Sequence, residues 1–471
     1  MESDTQPEPQ RADLLVVGKL VTMDRSNRII DDGAIAITGR DIAAIGERAA
    51  MLRDWWAPRQ IGGDVIVIPG MIDAHTHCTQ CFVRSLTSNE LPMIPRIYNP
   101  AQQSLSPEQA ASATRLLAAQ LMRAGVTTLC EGTLNPAHED AIVEALQSAG
   151  IRCVMARGAP DQDFHHAALY SQRHDKSWVR AREGEAEQDL ARTAAFLDRF
   201  PARGPGLIRG AVNASALPGF SSTYFRGASA LARERGATLH VHVGRDREEV
   251  ELCLSVWGKR PVERLAELGI IDEHLVTVHA VLATPREIAL LGAGRASLVH
   301  SPIECVANLN AVADVQQFRQ AGCRVALGCD IQANDMFATM RAAWLLHGAL
   351  YGINRYDPAY LSAAEVFAMA TTEAAHILRI DDRTGSIEPR KAADLVLLDA
   401  KAPHMMAQQD VTSDLVRYGS RAEVLHVLID GKLVLEDGVL RTIDVDHLQI
   451  EAAAGARHVR NVVSARRYVP L

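Results

Sequence analysis

Between about residues 65 and 330, short β-branched and aliphatic runs alternate with segments whose apolar residues recur at helical spacing. The runs 65–72, 126–131, 151–157, 207–213, 237–243, 275–279, 296–300 and 323–329 predict eight strands. Helix signals lie between them. Ser106-Pro107-Glu108-Gln109 reads as an N-cap, an N1 proline and a capping-box partner ahead of Ala110–Arg123. Thr284-Pro285-Arg286-Glu287 opens another helix, and the segment from Ser222 to Arg235 closes on Gly236, a plausible C′ glycine. Eight strands alternating with helices predict an α/β fold of the (β/α)8, or TIM-type, barrel class. A doubly wound sheet also alternates, but no Gly-x-Gly-x-x-Gly follows the first strand.

The flanks carry a different rhythm. Asp13–Met23, Gly33–Thr38 and Asp41–Gly46 near the start, and Asp394–Leu398, Val424–Ile429 and Lys432–Leu435 near the end, are short glycine-punctuated strands without helical partners. A small composite β-sandwich formed by both chain ends, residues 12–64 and 386–445, accounts for them, bracketing a barrel over 65–385. Residues 1–11 are polar and read as a frayed tail, and 446–471 carry a helical pattern suited to packing or subunit contact.

Composition narrows the function classes. A net charge of −8 argues against nucleic acid or an anionic membrane as partner. No apolar run approaches a membrane span, and the start lacks a secretory signal. Eight cysteines without zinc-ribbon pairing fit reduced thiols in a cytoplasmic protein. The expected partner is a small-molecule substrate, and a homo-oligomer is the expected assembly.

Catalytic groups of such a barrel project from the C-terminal ends of its strands. Strand one ends in His75 and His77, whose i, i+2 spacing turns both to one face of a strand. His240 and His242 stand at the end of strand five, His279 at strand six, His300 at strand seven and Asp330 at strand eight. Together they describe imidazoles and a carboxylate around an ion. Nitrogen and oxygen ligation without cysteine suits one Zn²⁺, with Fe²⁺, Mn²⁺ or Co²⁺ as alternatives.

Pro69-Gly70-Met71-Ile72-Asp73-Ala74-His75-Thr76-His77 resembles the strand-one signature of the amidohydrolase superfamily. Val276-Thr277-Val278-His279-Ala280 and Val325-Ala326-Leu327-Gly328-Cys329-Asp330 are similar to strands six and eight of its chlorohydrolase and deaminase branch. Gly385-Ser386-Ile387-Glu388-Pro389 and the following residues to Val396 resemble that branch's return into the small domain. The likeness runs from about residue 12 to 440. It implies that His75, His77, His242 and Asp330 ligate one metal and that His279 sits beside the electrophilic group of the substrate. In that arrangement Asp330 serves as base and His279 as acid or hydrogen-bond donor. His240 is read as core filling ahead of a supporting role.

The chain departs from this branch after strand five, where the glutamate expected three residues beyond the histidine is Arg245. An arginine stays protonated and cannot shuttle a proton. It either clamps an anionic substrate group or pairs outward with Asp246, Glu248 or Glu249 in a solvated cluster, the second reading being slightly favoured. Glu131, which ends strand two, and Glu304, after strand seven, are candidate substrate contacts placed to substitute for the lost carboxylate, and His300 is a further candidate contact. The first reading is therefore a mononuclear metal-dependent hydrolase of an amide, carbamate, urea or cyclic imide. The alternative is a hydrolytic deaminase or dechlorinase of a nitrogen heterocycle. A catalytically silent binding barrel is disfavoured, because no ligand position is lost.

Overall fold

A computed structural model describes residues 8–87, 93–164, 179–309, 311–357 and 359–466. Eight parallel strands form the barrel: Met71–Thr76, Val126–Leu134, Arg152–Arg157, Ile208–Ala216, Leu239–Val243, Leu275–His279, Ser297–His300 and Arg324–Leu327. They neighbour one another in chain order, as repeated β-α crossovers dictate. The seam between first and last strands is held at the mouth. There Asp330 N–H donates to the His75 carbonyl at 2.9 Å, and Cys329 N–H donates to Asp73 Oδ1 at 2.8 Å.

Alternation along the strands separates two apolar layers. Ile72, Cys130, Val154, Ala211, Val276, Val299 and Ala326 turn inward and pack with Ala374, Ala375 and Ile377 of helix Thr372–Ile377. Their neighbours Met71, Leu129, Leu298 and Leu327 belong to the larger core shared with the surrounding helices. Helix Pro107–Arg123 starts at the Ser106–Gln109 capping box, and helix Ser222–Arg235 stops at Gly236, whose φ of +61° suits glycine.

The chain ends build a second, single eight-stranded sheet. Strands Leu14–Val21, Ile29–Thr38, Asp41–Glu47 and Gln60–Pro69 come from the N-terminal side, and Leu395–Asp399, Val424–Ile429, Lys432–Glu436 and Val439–Leu440 from the C-terminal side. The two sets meet where Leu395–Asp399 pairs antiparallel with Gln60–Pro69. This corrects the sequence reading of 65–72 as one barrel strand. Residues 65–69 complete the small sheet, and the chain enters the barrel only at Met71. Gly70 makes the hand-over; a Cβ there would lie 2.0 Å from Thr127 Oγ1, so no larger residue fits.

Arg152, from the third barrel strand, donates to Asp394 and Asp430 of the small sheet at 2.8–3.1 Å and fastens the two sheets together. Residues Gln10–Arg11, expected to fray, pair instead with Trp55–Trp56; residues 1–7 lie outside the described part of the chain. Helix Val445–Arg466 packs Leu448, Val459 and Val463 inward, and residues 467–471 also lie outside the described part. Among the described residues no helix is long and apolar enough to cross a membrane.

Candidate active site

Strand one would not present both histidines inward by simple alternation, since Ile72 and Ala74 already face the barrel interior. The register against the second strand shifts between Asp73 and Thr76, which oppose Leu129 and Glu131. That bulge supplies the extra residue needed to re-aim the end of the strand. Gly132 supplies the room: a Cβ there would lie 2.3 Å from His75 Nδ1 and Cε1. Asp73 fixes the same segment by accepting hydrogen bonds from the backbone N–H groups of His75 and Cys329.

The structure brings His75, His77, His242, His279 and Asp330 to one point at the barrel mouth. His75 Nε2 and His242 Nε2 lie 3.1 Å apart. Imidazole nitrogens bound to zinc at about 2.0–2.1 Å would themselves lie about 3.0–3.4 Å apart, so this contact suits two ligands of one ion. Asp330 carboxylate oxygens stand 3.7 Å from His75 Nε2, 3.6 Å from His77 Nε2 and 3.7 Å from His279 Nε2. Thr133 Oγ1 contacts His77 Nδ1 at 2.9 Å, which leaves Nε2 aimed at the cluster.

The electrostatics point the same way. Burial first, then neighbouring imidazoles, hold His75, His242 and His279 well below the usual histidine range. Burial and then the Arg245 charge bring His77 to about 4. Neutral rings keep their lone pairs for an ion. Asp330 is pushed well above the carboxylate range by burial, then by the charges of Glu304 and Asp73. A carboxyl that ionises only at a cost, flanked by neutral imidazoles, gains most from a divalent cation placed beside it. Three imidazoles and one carboxylate fit a zinc-type ion, and the donor set contains no sulfur.

The cluster floors a cavity of about 400 Å³. Its wall carries neutral amides from Gln80, Gln102, Asn135 and Asn213, together with Tyr98 and the carboxyl groups of Glu249 and Glu304. Glu304 lines it from the short helix Pro302–Glu304; its Oε1 accepts from Asn308, and Oε2 has no hydrogen-bond partner. Burial raises this carboxyl to about 7. Arg245 also lines the cavity, but its Nε donates to Asp246 Oδ2 at 2.8 Å. Its backbone N–H donates to Glu249 Oε2 at 3.0 Å. The cluster is therefore not a solvated one. Glu249 is 7% exposed, lifted to about 8 by burial and then by Asp246, and its Oε1 lacks a partner.

Two expected substrate contacts are corrected. Glu131 does not line the cavity, because its oxygens accept the backbone N–H groups of Cys78 and Thr133 and so tie strand two to the turn that follows His77. His300 follows the inward Val299 and therefore faces the helix layer, where its ring packs against His347 at 5.2 Å. His240 is also buried, with Nε2 2.9 Å from Thr238 Oγ1, and does not join the cluster of His75, His77, His242, His279 and Asp330. The sequence does not mark Glu249 as a site residue, because charged residues in a first helical turn read as solvated; its burial shows only in the folded chain.

Residues 66–434 match the amidohydrolase family model. The chain is 31% identical over 459 residues to the 5-methylthioadenosine/S-adenosylhomocysteine deaminase of Syntrophobacter fumaroxidans, covering 96% of this chain and 99% of that protein. Among solved structures, an adenosine deaminase from Xanthomonas campestris with bound zinc superposes with a TM-score of 0.84 at 26% identity, covering 96% of this chain and all of that one. The atrazine chlorohydrolase of Arthrobacter aurescens, complexed with zinc, shares the fold with a TM-score of 0.80 at 20% identity, over 94% of this chain and 100% of that one.

Proposed function

This chain belongs to the amidohydrolase family and is a hydrolase acting on carbon–nitrogen bonds, and from that premise we propose that it is a hydrolytic deaminase of an adenine-type nucleoside. The observation that carries the reading is the convergence of four imidazoles and Asp330 on the floor of a nucleoside-sized cavity. The near full-length relationship to a deaminase of adenine nucleosides supports it. Deamination therefore stands ahead of amide or carbamate hydrolysis for this chain.

His75, His77, His242 and Asp330 would hold one divalent ion, proposed to be Zn²⁺. Such an ion lowers the pKa of a coordinated water towards neutrality. The chain's own groups then divide the remaining work. Asp330 accepts the proton of the attacking water and later passes it to the departing amine. His279, with Cys305 Sγ 3.7 Å from Nδ1, keeps Nε2 towards Asp330 and the reacting carbon, where it hydrogen-bonds the new carbon–oxygen group. The amide side chains of the wall suit sugar hydroxyls, which need neutral donors and acceptors.

Hydrolysis of an amide or carbamate remains a second reading, favoured by one observation: Arg245 stands where a proton-shuttling carboxylate is expected after strand five. The two readings differ in product. Purified protein should release ammonia from 5′-methylthioadenosine, S-adenosylhomocysteine or adenosine, with the ultraviolet change of a 6-amino to a 6-oxo purine. An amine and a carboxylate released from amides or carbamates, with no ammonia from any nucleoside, would overturn the deaminase reading.

A further inference from the structure

Deamination of an aromatic aminoheterocycle needs a second proton movement that Asp330 does not supply. When the water oxygen bonds to the amino-bearing carbon, the electrons of the adjacent C=N bond move onto the ring nitrogen, which must be protonated as the charge develops. The donor has to line the cavity beside the ligand cluster, carry a proton and have an atom free to reach the ring.

Several groups fail this test. Arg245 cannot be deprotonated in a proton relay and is engaged with Asp246. Both oxygens of Glu131 are taken by backbone N–H groups below the cavity. The Glu249 carboxyl is anchored to the Arg245 backbone, and its charged neighbours are Asp246, Arg245 and Glu287 instead of the metal-cluster carboxylate. Glu249 shares with Glu304 a place on the cavity wall and one unpartnered oxygen, but of the two only Glu304 acts on Asp330. It lines the cavity with its side chain buried, Asn308 holds one oxygen, and the other has no hydrogen-bond partner. It also stands close enough to Asp330 for its charge to follow burial as a cause of the shift at Asp330. Cys305, the next residue, contacts His279, so the turn that carries Glu304 is also seated against a group of the reaction centre.

We propose that Glu304 is the catalytic residue that protonates the ring nitrogen, doing from the turn after strand seven what the arginine after strand five cannot. This assignment rests on the deaminase reading. The proton balance closes. Asp330 takes one proton from water as the C–O bond forms, and Glu304 gives its proton to the ring nitrogen. The C–N bond to the amino group then breaks, with Asp330 returning its proton so that ammonia departs. The hydroxyl proton of the adduct goes to the Glu304 carboxylate as the C=O bond forms, and both side chains regain their starting states.

The test compares the metal-loaded parent with Glu304→Gln, Glu304→Asp and Glu249→Gln, reading ammonia release from 5′-methylthioadenosine, S-adenosylhomocysteine and adenosine. Metal content and the thermal transition are measured on each protein. Glu304→Gln keeps the amide hydrogen bond to Asn308 but has no acidic proton, so kcat should fall about 10²–10⁴-fold with KM and bound metal little changed. Glu304→Asp should recover part of that loss, which a packing role would not produce. A Glu304→Gln protein that keeps its kcat, or a kcat loss confined to Glu249→Gln, overturns the assignment while leaving the deaminase reading intact. A Glu304→Gln protein that loses its metal shows a structural role and also overturns it. A parent that releases no ammonia from any of the three substrates overturns both.

Discussion

Arg245 is a cation at the mouth of a site built from neutral rings, and its partner decides its effect. Clamping a substrate carboxylate by a bidentate pair would be worth about 1.5–3 kcal/mol, roughly ten- to a hundredfold in KM. Its guanidinium is instead engaged by Asp246, which is only partly exposed, so a competing anion must first displace a carboxylate already in place. Arg245→Ala is therefore expected to change KM for acidic and neutral substrates alike, and by less than a clamp would give. Steady-state kinetics on adenosine and S-adenosylhomocysteine, which differ in a charged tail, check this. A rise confined to the substrate with the carboxylate would restore the clamp. At this scale the histidines were legible in the sequence because strand spacing and strand-end position both select them. Glu131, His300 and Glu249 were misjudged because facing and burial depend on which neighbour the side chain meets: backbone N–H groups for Glu131, the helix layer for His300, and the Arg245 backbone for Glu249.

The first barrel strand is the element on which the site depends most. Its bulge against Val126–Leu134 aims His75 and His77, and Gly132 on that neighbouring strand accommodates the His75 ring. A methyl group at 132 would overlap His75 Nδ1 and Cε1 at 2.3 Å, so either the ring or the strand must move. Gly132→Ala is expected to lower metal affinity about ten- to a hundredfold, the range seen when the support of a ligand is disturbed. Dialysis against a graded chelator followed by elemental analysis measures it. Unchanged retention of the ion would show that the ring does not need its present position. The bulge could not be read from sequence, since a single inserted residue leaves the apolar pattern of the strand nearly unchanged. The same limit explains the misplaced boundary at 65–69: a continuous apolar run does not say that its first half belongs to another sheet, and Pro69-Gly70 is the only sign of the hand-over.

At the scale of the molecule, the eight barrel strands were legible because each is a short apolar run set between helix signals with caps. The composite sheet was legible from its glycine-punctuated strands at both ends, though the Arg152–Asp394–Asp430 tie that fastens it to the barrel was not, since it joins residues 242 and 278 positions apart. Barrel closure at Asp330 and His75 gathers the proposed ligands from strands one, five and eight around one point. One ion so held, serving a hydrolytic deamination, is the central claim. Its most direct test is to strip the protein of metal, return Zn²⁺ in measured steps, and follow ammonia release from 5′-methylthioadenosine. Activity should be absent in the stripped protein, rise in proportion to added ion and level off at about one equivalent per chain, as a single set of three imidazoles and one carboxylate requires. Full activity without metal, or a plateau at about two equivalents, would contradict the account.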